Sequence, residues 1–519
     1  EHKVNAQDRY SLGCIGTALG QMPFSYCVSS LSRLCIISSL FASQHGLAAS
    51  LAHYDGTCGT TGAERDNIRQ KAMQALGQKG YSQRLEGGLT YSQSYNPDSF
   101  DMLFMWNFTL EVSDVVLWLG CNPPADTSGP VYYGITGYLI ASNATIREAS
   151  GQPPPSGAMG DTLNQLSMNH TKGQANDEIW GTTSAILWTA DAVSAEDVTT
   201  ALKAVGFPAS AINVQVVPSL MRNVNLGHGS DHSILGIGGR IALWDPSPLR
   251  EAFFAYHQPV AILSAKDRQT QPDPLPTPEL LNRGNTPTLK SKLYHLQKKM
   301  VDIAKRKAFK EGWILVDEAK MYPEMIIVNG EEVYLNGTKC IEDPTRSSFC
   351  FIDTQDAAYF SLPEYFNFNE AGDRLDEYML QGQMAYVVGI LHRKAGLAVY
   401  SSLAWQGEQG ASLNDRQLID SGKNFAPRVK DSSYSYVVQL KHNCSSGSTS
   451  CLPISGPGHI VARSYLNPAT QTGPDPWELV PEIVLRFRKC GRGGTSKKLR
   501  GYIGMEDASM LQTRAEKEL

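Results

Sequence analysis

The chain has no run of about 20 uninterrupted apolar residues, the length a membrane-spanning helix needs, so no segment is expected to cross a bilayer. Charge of one sign is also scarce. Among 519 residues, 46 Lys and Arg face 51 Asp and Glu, a formal net charge of −5. That balance excludes the basic surplus of a nucleic-acid binder and the polybasic surface of a membrane-associated protein. Hydrophobic residues at 42% and charged residues at 19% exclude bulk disorder. Several catalytic signatures are absent too: no G-x-S-x-G elbow, H-E-x-x-H helix or EF-hand loop occurs. The glycine-rich stretch Gly491–Lys497 lacks the second glycine of a phosphate loop, and Gly236-Ile237-Gly238-Gly239 lies in a strand pattern rather than opening a helix. These motifs leave the cofactor unknown.

Three features point to the secretory pathway. Arg33 precedes the short apolar stretch Leu34–Ala42, and small residues follow at Ala48 and Ser50. This order has the grammar of a signal peptide, with Met22 as a candidate start and residues 1–50 as leader; a buried helix is the alternative. Five N-x-Ser/Thr sequons are spread along the chain, at Asn107, Asn143, Asn169, Asn336 and Asn443. A glycan at any of them requires a surface position. Seven cysteines remain after the leader, and no C-x-x-C pair suggests zinc among them. Cys340 with Cys350, and Cys444 with Cys451, flank short polar loops and are expected to close as disulfides, each stabilising by about 2–3 kcal/mol. Cys58 with Cys121 would make a third and leave Cys490. The expected location is therefore secreted or the endomembrane lumen. The final Glu516-Lys517-Glu518-Leu519 shares only Glu-Leu with an ER-retention signal, and a frayed charged tail explains it equally.

Length implies more than one core. The proline-rich stretch at 267–286, with Pro272, Pro274, Pro276 and Pro278, favours an extended linker and divides the chain into domains at 51–266 and 287–490, before a tail at 491–519. In the first domain, Ser184–Thr189 reads as a strand and Ser194 as the cap of a helix over Ala195–Val205. The alternating Ile212–Val216, the run Ser233–Leu243, a helix opening at Ser247-Pro248 and Pro259–Leu263 follow. The order β-α-β-β-α-β is that of a ferredoxin-like unit at 184–264. The second domain begins with a long amphipathic helix over Thr286–Glu311, with Leu289, Leu293, Leu296, Met300, Ile303 and Ala304 on one stripe. Lys290, Lys292, Lys298, Lys299, Lys305, Arg306 and Lys307 on the rest of it are a solvated face or a surface for anionic partners. Mainly antiparallel strands follow, with Arg393–Gly396 as a turn. The expected class is α+β in two domains, and no internal repeat is legible.

Candidate chemistry is sparse. His228-Gly-Ser-Asp231-His232 sets an acid between two imidazoles and is a candidate metal or proton-relay loop; solvated surface histidines fit equally. His392 ends the apolar strand Tyr386–Leu391, where catalytic groups are often mounted; a hydrogen-bonded structural histidine fits the same place. Asp353 and Asp356 neighbour the aromatic run Tyr359–Phe368, as a sugar-cleaving site requires and as ordinary core also produces. Together His392, Tyr400, Asp353 and Asp356 are the candidate catalytic set.

Val388-Gly-Ile-Leu-His392, followed by Gly396-Leu-Ala-Val-Tyr400, resembles the strand-turn-strand of a family of secreted microbial proteins. Tyr465–Thr470 and the strand-helix-strand at 184–216 extend the likeness over roughly residues 100–490. The resemblance implies a folded extracellular unit and supplies no catalytic residue. The expected function is an extracytoplasmic enzyme on a small molecule or glycan, or alternatively a noncatalytic binding or structural cell-surface glycoprotein. The two differ in whether a histidine and an acid meet in a pocket.

Overall fold

The computed structural model describes residues 62–84, 90–96, 101–127, 129–141, 157–172, 178–221, 223–228, 232–255, 260–284, 290–323, 325–328, 331–334, 341, 354–362, 383–407, 411–441, 444, 448, 450–454 and 458–489. All of these belong to one compact unit, Leu51–Leu519. The expected leader at 1–50 and the tail at 491–519 lie outside the described residues.

The first half runs α1 (Gly62–Gly77), β1 (Ser82–Arg84), β2 (Thr90–Asn96), β3 (Asp101–Phe108), β4 (Val115–Cys121), β5 (Tyr132–Ala141), β6 (Gly157–Ala158), β7 (Leu163–Asn164), β8 (Thr183–Thr189), α2 (Ala192–Ala204), β9 (Ile212–Val216), β10 (Ile234–Ala242), α3 (Pro248–Ala255) and β11 (Val260–Ser264). The second runs α4 (Lys290–Lys310), β12 (Trp313–Lys320), β13 (Tyr322–Pro323), β14 (Met325–Val328), β15 (Glu331–Tyr334), β16 (Ala357–Ser361), β17 (Gln383–Ile390), β18 (Tyr400–Gly407), β19 (Ala411–Asn414), α5 (Asp415–Phe425), β20 (Ser435–Lys441), β21 (Cys451–Pro453), β22 (Gly458–Tyr465) and β23 (Ile483–Lys489). The class is α+β with mostly antiparallel sheets. Among the described residues no helix is long and apolar enough to cross a membrane.

Each half is built in three layers. In the first, β1-β11-β4-β8-β9 form one sheet and β2-β3-β10-β5-β6 another. Trp118, Ile186, Trp188 and Ile262 of the one meet Phe104, Trp106, Ile135 and Ile237 of the other in one apolar core. The outer face of the first sheet is covered by helices, with Ala72 and Leu76 of α1 and Val198 and Leu202 of α2 against Leu117, Leu119 and Leu187. Burial on both faces explains why β4 is an unbroken apolar run, Val-Val-Leu-Trp-Leu-Gly-Cys, with every residue buried.

The second half repeats this plan in the ten strands of its two sheets, while β7, paired with β5, and the separate β14–β15 hairpin stand outside the repeat. Its sheets are ordered β12-β23-β17-β20-β21 and β13-β16-β22-β18-β19. Each first-listed sheet ends in a parallel pair, β8 with β9 and β20 with β21. Met300, Ala304 and Ala308 of α4 cover Met384, Tyr386 and Leu485, as α1 covers its own sheet. Register makes the correspondence residue-specific. Ala242 pairs with Tyr132 and Asp101, and Tyr465 pairs with Tyr400 and Ala357. Tyr132 therefore corresponds to Tyr400, Arg240 to Arg463 and Leu243 to Leu466. The turn leaving the first helix of each half is also shared: Gly80 at φ 86° and Gly312 at φ 82° reverse the chain into the next strand. The repeat that the sequence conceals is thus present in the fold.

The corresponding strand ends meet at a seam. Tyr132, Ala242 and Leu243 pack there with Ala357, Tyr359, Tyr400, Val461, Tyr465 and Leu466. Arg416 pairs with Asp245 across it at 2.6 Å. The proline-rich linker is bound at both ends. Leu275 N–H donates to Ala190 O, and Gly284 N–H donates to Gly473 O.

Two expectations need correction. The strands of the anticipated ferredoxin-like unit do not share a sheet. β4 inserts between β8 and β11, and β10 pairs with β3 and β5 in the other sheet. Strands from before residue 184 fill the pairing edges that a closed four-stranded unit would use. The cap of α2 is Asp191, not Ser194; its carboxylate accepts from the Val193 and Ser194 amides. The expected Cys444–Cys451 disulfide is present. Cys121 is disulfide-bonded; Cys58, Cys340 and Cys350 lie outside the described residues.

Candidate functional site

The connection between β3 and β4 is a tight turn that fixes two acids. The Glu111 amide donates to Asp114 Oδ2 at 3.1 Å, and the Asp114 amide returns a bond to Glu111 O at 3.0 Å. The strand that follows is wholly buried, so Asp114 at its mouth is buried as well. The loop ahead of β10 is drawn onto this turn by the Gly227 amide, which donates to Leu110 O at 2.6 Å. That contact sets His228 beside the acids, with Nε2 3.2 Å from Glu111 Oε1 and 3.6 Å from Asp114 Oδ2. From the end of β1, Arg84 reaches in, its Nη1 2.8 Å from His228 Nδ1 and 3.5 Å from Asp114 Oδ2.

Beside this cluster lies an open pocket of about 490 Å³, lined by Glu111, Val112, Ser113, His228, His232 and Pro272 among others. Gly227, at φ 153°, lies so close to His232 that a Cβ there would stand 2.2 Å from the imidazole Cδ2. Burial pushes the Asp114 carboxyl above the usual carboxylate range, while the Glu111 amide, His228 and Arg84 draw it back. Its Oδ1 is buried without a hydrogen-bond partner. A reachable imidazole, an exposed carboxylate and a buried one around a pocket can bind a polar ligand or move a proton. The same three side chains carry ligand atoms all within 4.8 Å of one another.

The structure places part of the expected metal loop here. His228 and His232 line the pocket, whereas Asp231 lies outside the described residues. Glu111, Asp114 and Arg84 were not foreseen, because an acid pair in a strand connection is indistinguishable in sequence from ordinary turn chemistry.

The expected catalytic set falls elsewhere. His392 is buried at 1% exposure. Its Nδ1 is 3.0 Å from Ser464 Oγ, and its Nε2 accepts from the Val480 amide at 3.2 Å. Burial lowers its pKa to about 4. Asp356 and Tyr400 both go to the seam and are buried. Asp356 accepts from Tyr132 OH and from Thr354 Oγ1, each at 2.6 Å. Burial raises its pKa, against the bonds from Thr354 and Tyr132 and the charge of Arg240. Asp353 lies outside the described residues. Of the sequons, Asn107 is half-buried in β3, and Asn169 Nδ2 donates to Ile212 O at 3.4 Å; Asn143, Asn336 and Asn443 lie outside the described residues.

No family model matches the chain, and no curated protein matches it. Among solved structures it is similar to the VPA0106 protein from Vibrio parahaemolyticus, at TM-score 0.35 and 13% identity over 84% of this chain and 99% of that one. An uncharacterised protein from Burkholderia cenocepacia matches at TM-score 0.29 and 12% identity, over 86% of this chain and 98% of that one.

Proposed function

We propose that this chain is a glycoprotein of the secretory pathway, secreted or lumenal, that acts as an enzyme on a small molecule or glycan in the pocket beside His228. The observation that carries it is the His228–Glu111 pair, 3.2 Å apart with side chains 28% and 40% exposed on the wall of an open pocket. An imidazole held by a carboxylate and reachable from solvent is the arrangement of a general acid or base with its orienting partner. His228 is the proton-transfer group in this scheme and Glu111 its partner, with Arg84 and Asp114 fixing the ring. The two strand-repeated halves are two domains joined by the linker at 267–286, and the chain is kin to the secreted microbial family it resembles. Noncatalytic binding of the same ligand class is the second reading. It is favoured by the burial of His392, Tyr400 and Asp356 away from the pocket, so that none of the catalytic residues anticipated from sequence joins His228 there.

The test is a panel of glycosides and esters offered to the full chain, with turnover and ligand-induced thermal shift read in parallel. Turnover that His228→Ala removes, in a variant that still melts cooperatively, supports the enzyme. Thermal shifts without turnover favour the binder. Turnover unchanged in His228→Ala overturns the assignment of the pocket. For the compartment, protein from a secreting eukaryotic host should gain mobility on enzymatic deglycosylation, and an unshifted band would count against it.

A further inference from the structure

We propose that Glu111, Asp114 and His228 together hold a divalent ion of the first transition row, with zinc as the probe. The proposal rests on taking this pocket as the working site, and with the ion bound it gives His228 the role of a ligand in place of proton transfer through Nε2. Three observations point to it. The first is spacing. Ligands bound at about 2.1 Å around a tetrahedral ion lie about 3.4 Å apart. His228 Nε2 stands 3.2 Å from Glu111 Oε1 and 3.6 Å from Asp114 Oδ2, so those two edges are already at that length. The second is an orphaned buried atom. Asp114 is fully buried, and its Oδ1 has no hydrogen-bond partner. A buried carboxylate oxygen left unpaired is costly; the oxygen spaced to His228 is Oδ2, so a cation would satisfy Oδ1 by binding the carboxylate through both oxygens. The third is access. Glu111 and His228 line the open pocket, so an ion held by three side chains would keep its fourth position toward that space, as metal sites that bind water or substrate do.

Ligand chemistry narrows the metal. Calcium and magnesium take sets of oxygen ligands, whereas an imidazole joined to two carboxylates suits zinc and its neighbours. Arg84 sets the strength of the site. Its Nη1 lies 2.8 Å from His228 Nδ1, 3.1 Å from Nε2, the ligand atom itself, and 3.5 Å from Asp114 Oδ2, so it supplies positive charge where the ion would add two units more and must draw back from Nε2 as the ion enters. Arg84 thereby opposes the ion, and its removal should tighten binding. The set differs from the sequence-based loop, in which Asp231 and His232 accompanied His228. The two acids come instead from the β3–β4 turn.

The experiment is calorimetric titration of zinc chloride alone into the full chain after chelator treatment. One ion per chain is expected. Glu111→Gln and His228→Ala should each weaken it by at least the roughly tenfold to hundredfold that loss of even an outer-sphere partner costs. Arg84→Gln should strengthen it. His295→Ala, at an exposed site on α4, should change nothing and serves as the control for adventitious surface binding. Glu111 is 40% exposed, so its variant keeps the test open even if Asp114→Asn fails to fold. The proposal is overturned if neither wild type nor Arg84→Gln takes up zinc, or if Glu111→Gln and His228→Ala bind it as tightly as wild type. Turnover or ligand binding that persists in chelator, with no zinc uptake, would sink the ion and leave the pocket's assignment standing. Zinc uptake lost in both variants, with no turnover or ligand shift, would support the ion and sink that assignment.

Discussion

Leu243 and Leu466 leave equivalent strands of the two halves with the same left-handed backbone, φ 53° and φ 52°, and both are buried in one seam. A leucine in this region carries strain of about 1–2 kcal/mol, and it recurs at matched positions. The side chains compensate by filling the contact between the two halves, with Tyr132 and Tyr465 beside them at 5.0 Å between ring centroids. Leu243→Ala and Leu466→Ala should each destabilise by about 2–4 kcal/mol. Because they share a cluster, the double variant should depart from additivity by about 0.5 kcal/mol or more. Urea unfolding of the four proteins measures the coupling, and simple additivity would show that the seam is two independent surfaces.

The glycine turns of the repeat are equivalent in backbone and unequal in surroundings. A Cβ on Gly312 would meet nothing within 4 Å, whereas one on Gly80 would stand 2.6 Å from the backbone carbonyl of Asp267. Gly312→Ala should therefore cost only the strain of positive φ, about 1 kcal/mol. Gly80→Ala adds a clash with main chain that cannot rotate away, and should cost at least about twice as much. Equal losses in thermal unfolding would mean that the first turn relaxes freely.

Tyr132 ties the halves through a buried charge. Its hydroxyl donates to Asp356 Oδ2, and Thr354 supplies the other donor. Tyr132→Phe removes one donor and should cost about 1–3 kcal/mol. The loss should depend on pH. Burial raises the folded-state pKa of Asp356, and the Tyr132 bond lowers it. A raised carboxyl contributes stability that is present in acid and lost as pH rises through its folded value. Removing Tyr132 raises that value further, so the variant should suffer more in alkaline than in acidic buffer. An equal loss at both pH values would separate Tyr132 from the Asp356 charge.

Local pattern made much of the fold legible. Alternation in Ile212–Val216, the stripe of α4 and the turn ending at Gly396 (φ 74°) all depend on neighbours a few residues away. The repeat was not legible, because it is carried by pairings such as Tyr132 with Ala242 and Tyr400 with Tyr465. A few matched positions keep their residue, as Tyr132 and Tyr400 or Arg240 and Arg463 do, but others do not, Ala242 against Tyr465, and such scattered identities expose the correspondence only once strand order and register are known. The site failed for a related reason. His228 was legible as chemistry, but its partners Glu111 and Asp114 reach it only through the packing of the β3–β4 turn on a loop distant in sequence. His392 drew attention as a polar end to an apolar strand, and that same apolar setting buries it.

Glu482 and His392 give the second half opposed responses to pH. Glu482 is fully enclosed, with Oε1 accepting from Tyr436 OH at 2.7 Å and Oε2 unpaired. Burial raises its pKa from 4.5 to about 7, against the Tyr436 bond. The folded state therefore holds a proton that the unfolded chain has released between those values. Its contribution to stability is full below pH 4.5 and is lost as pH rises through about 7. The loss is on the order of 3 kcal/mol. His392 runs the other way. Burial lowers its pKa from 6.5 to about 4, so the neutral ring's contribution is present above 6.5 and is lost as pH falls through about 4. The neutral side chain in Glu482→Gln removes the first slope and keeps the second. The variant should gain stability over wild type at neutral and alkaline pH, with little difference in acid. Its profile should then climb from acid to neutral pH as His392 becomes neutral and fall less steeply beyond than that of wild type, Asp356 keeping its own alkaline slope. Urea midpoints collected across that range measure both slopes, and a Glu482→Gln profile parallel to wild type would falsify the assignment of the alkaline loss to this carboxyl.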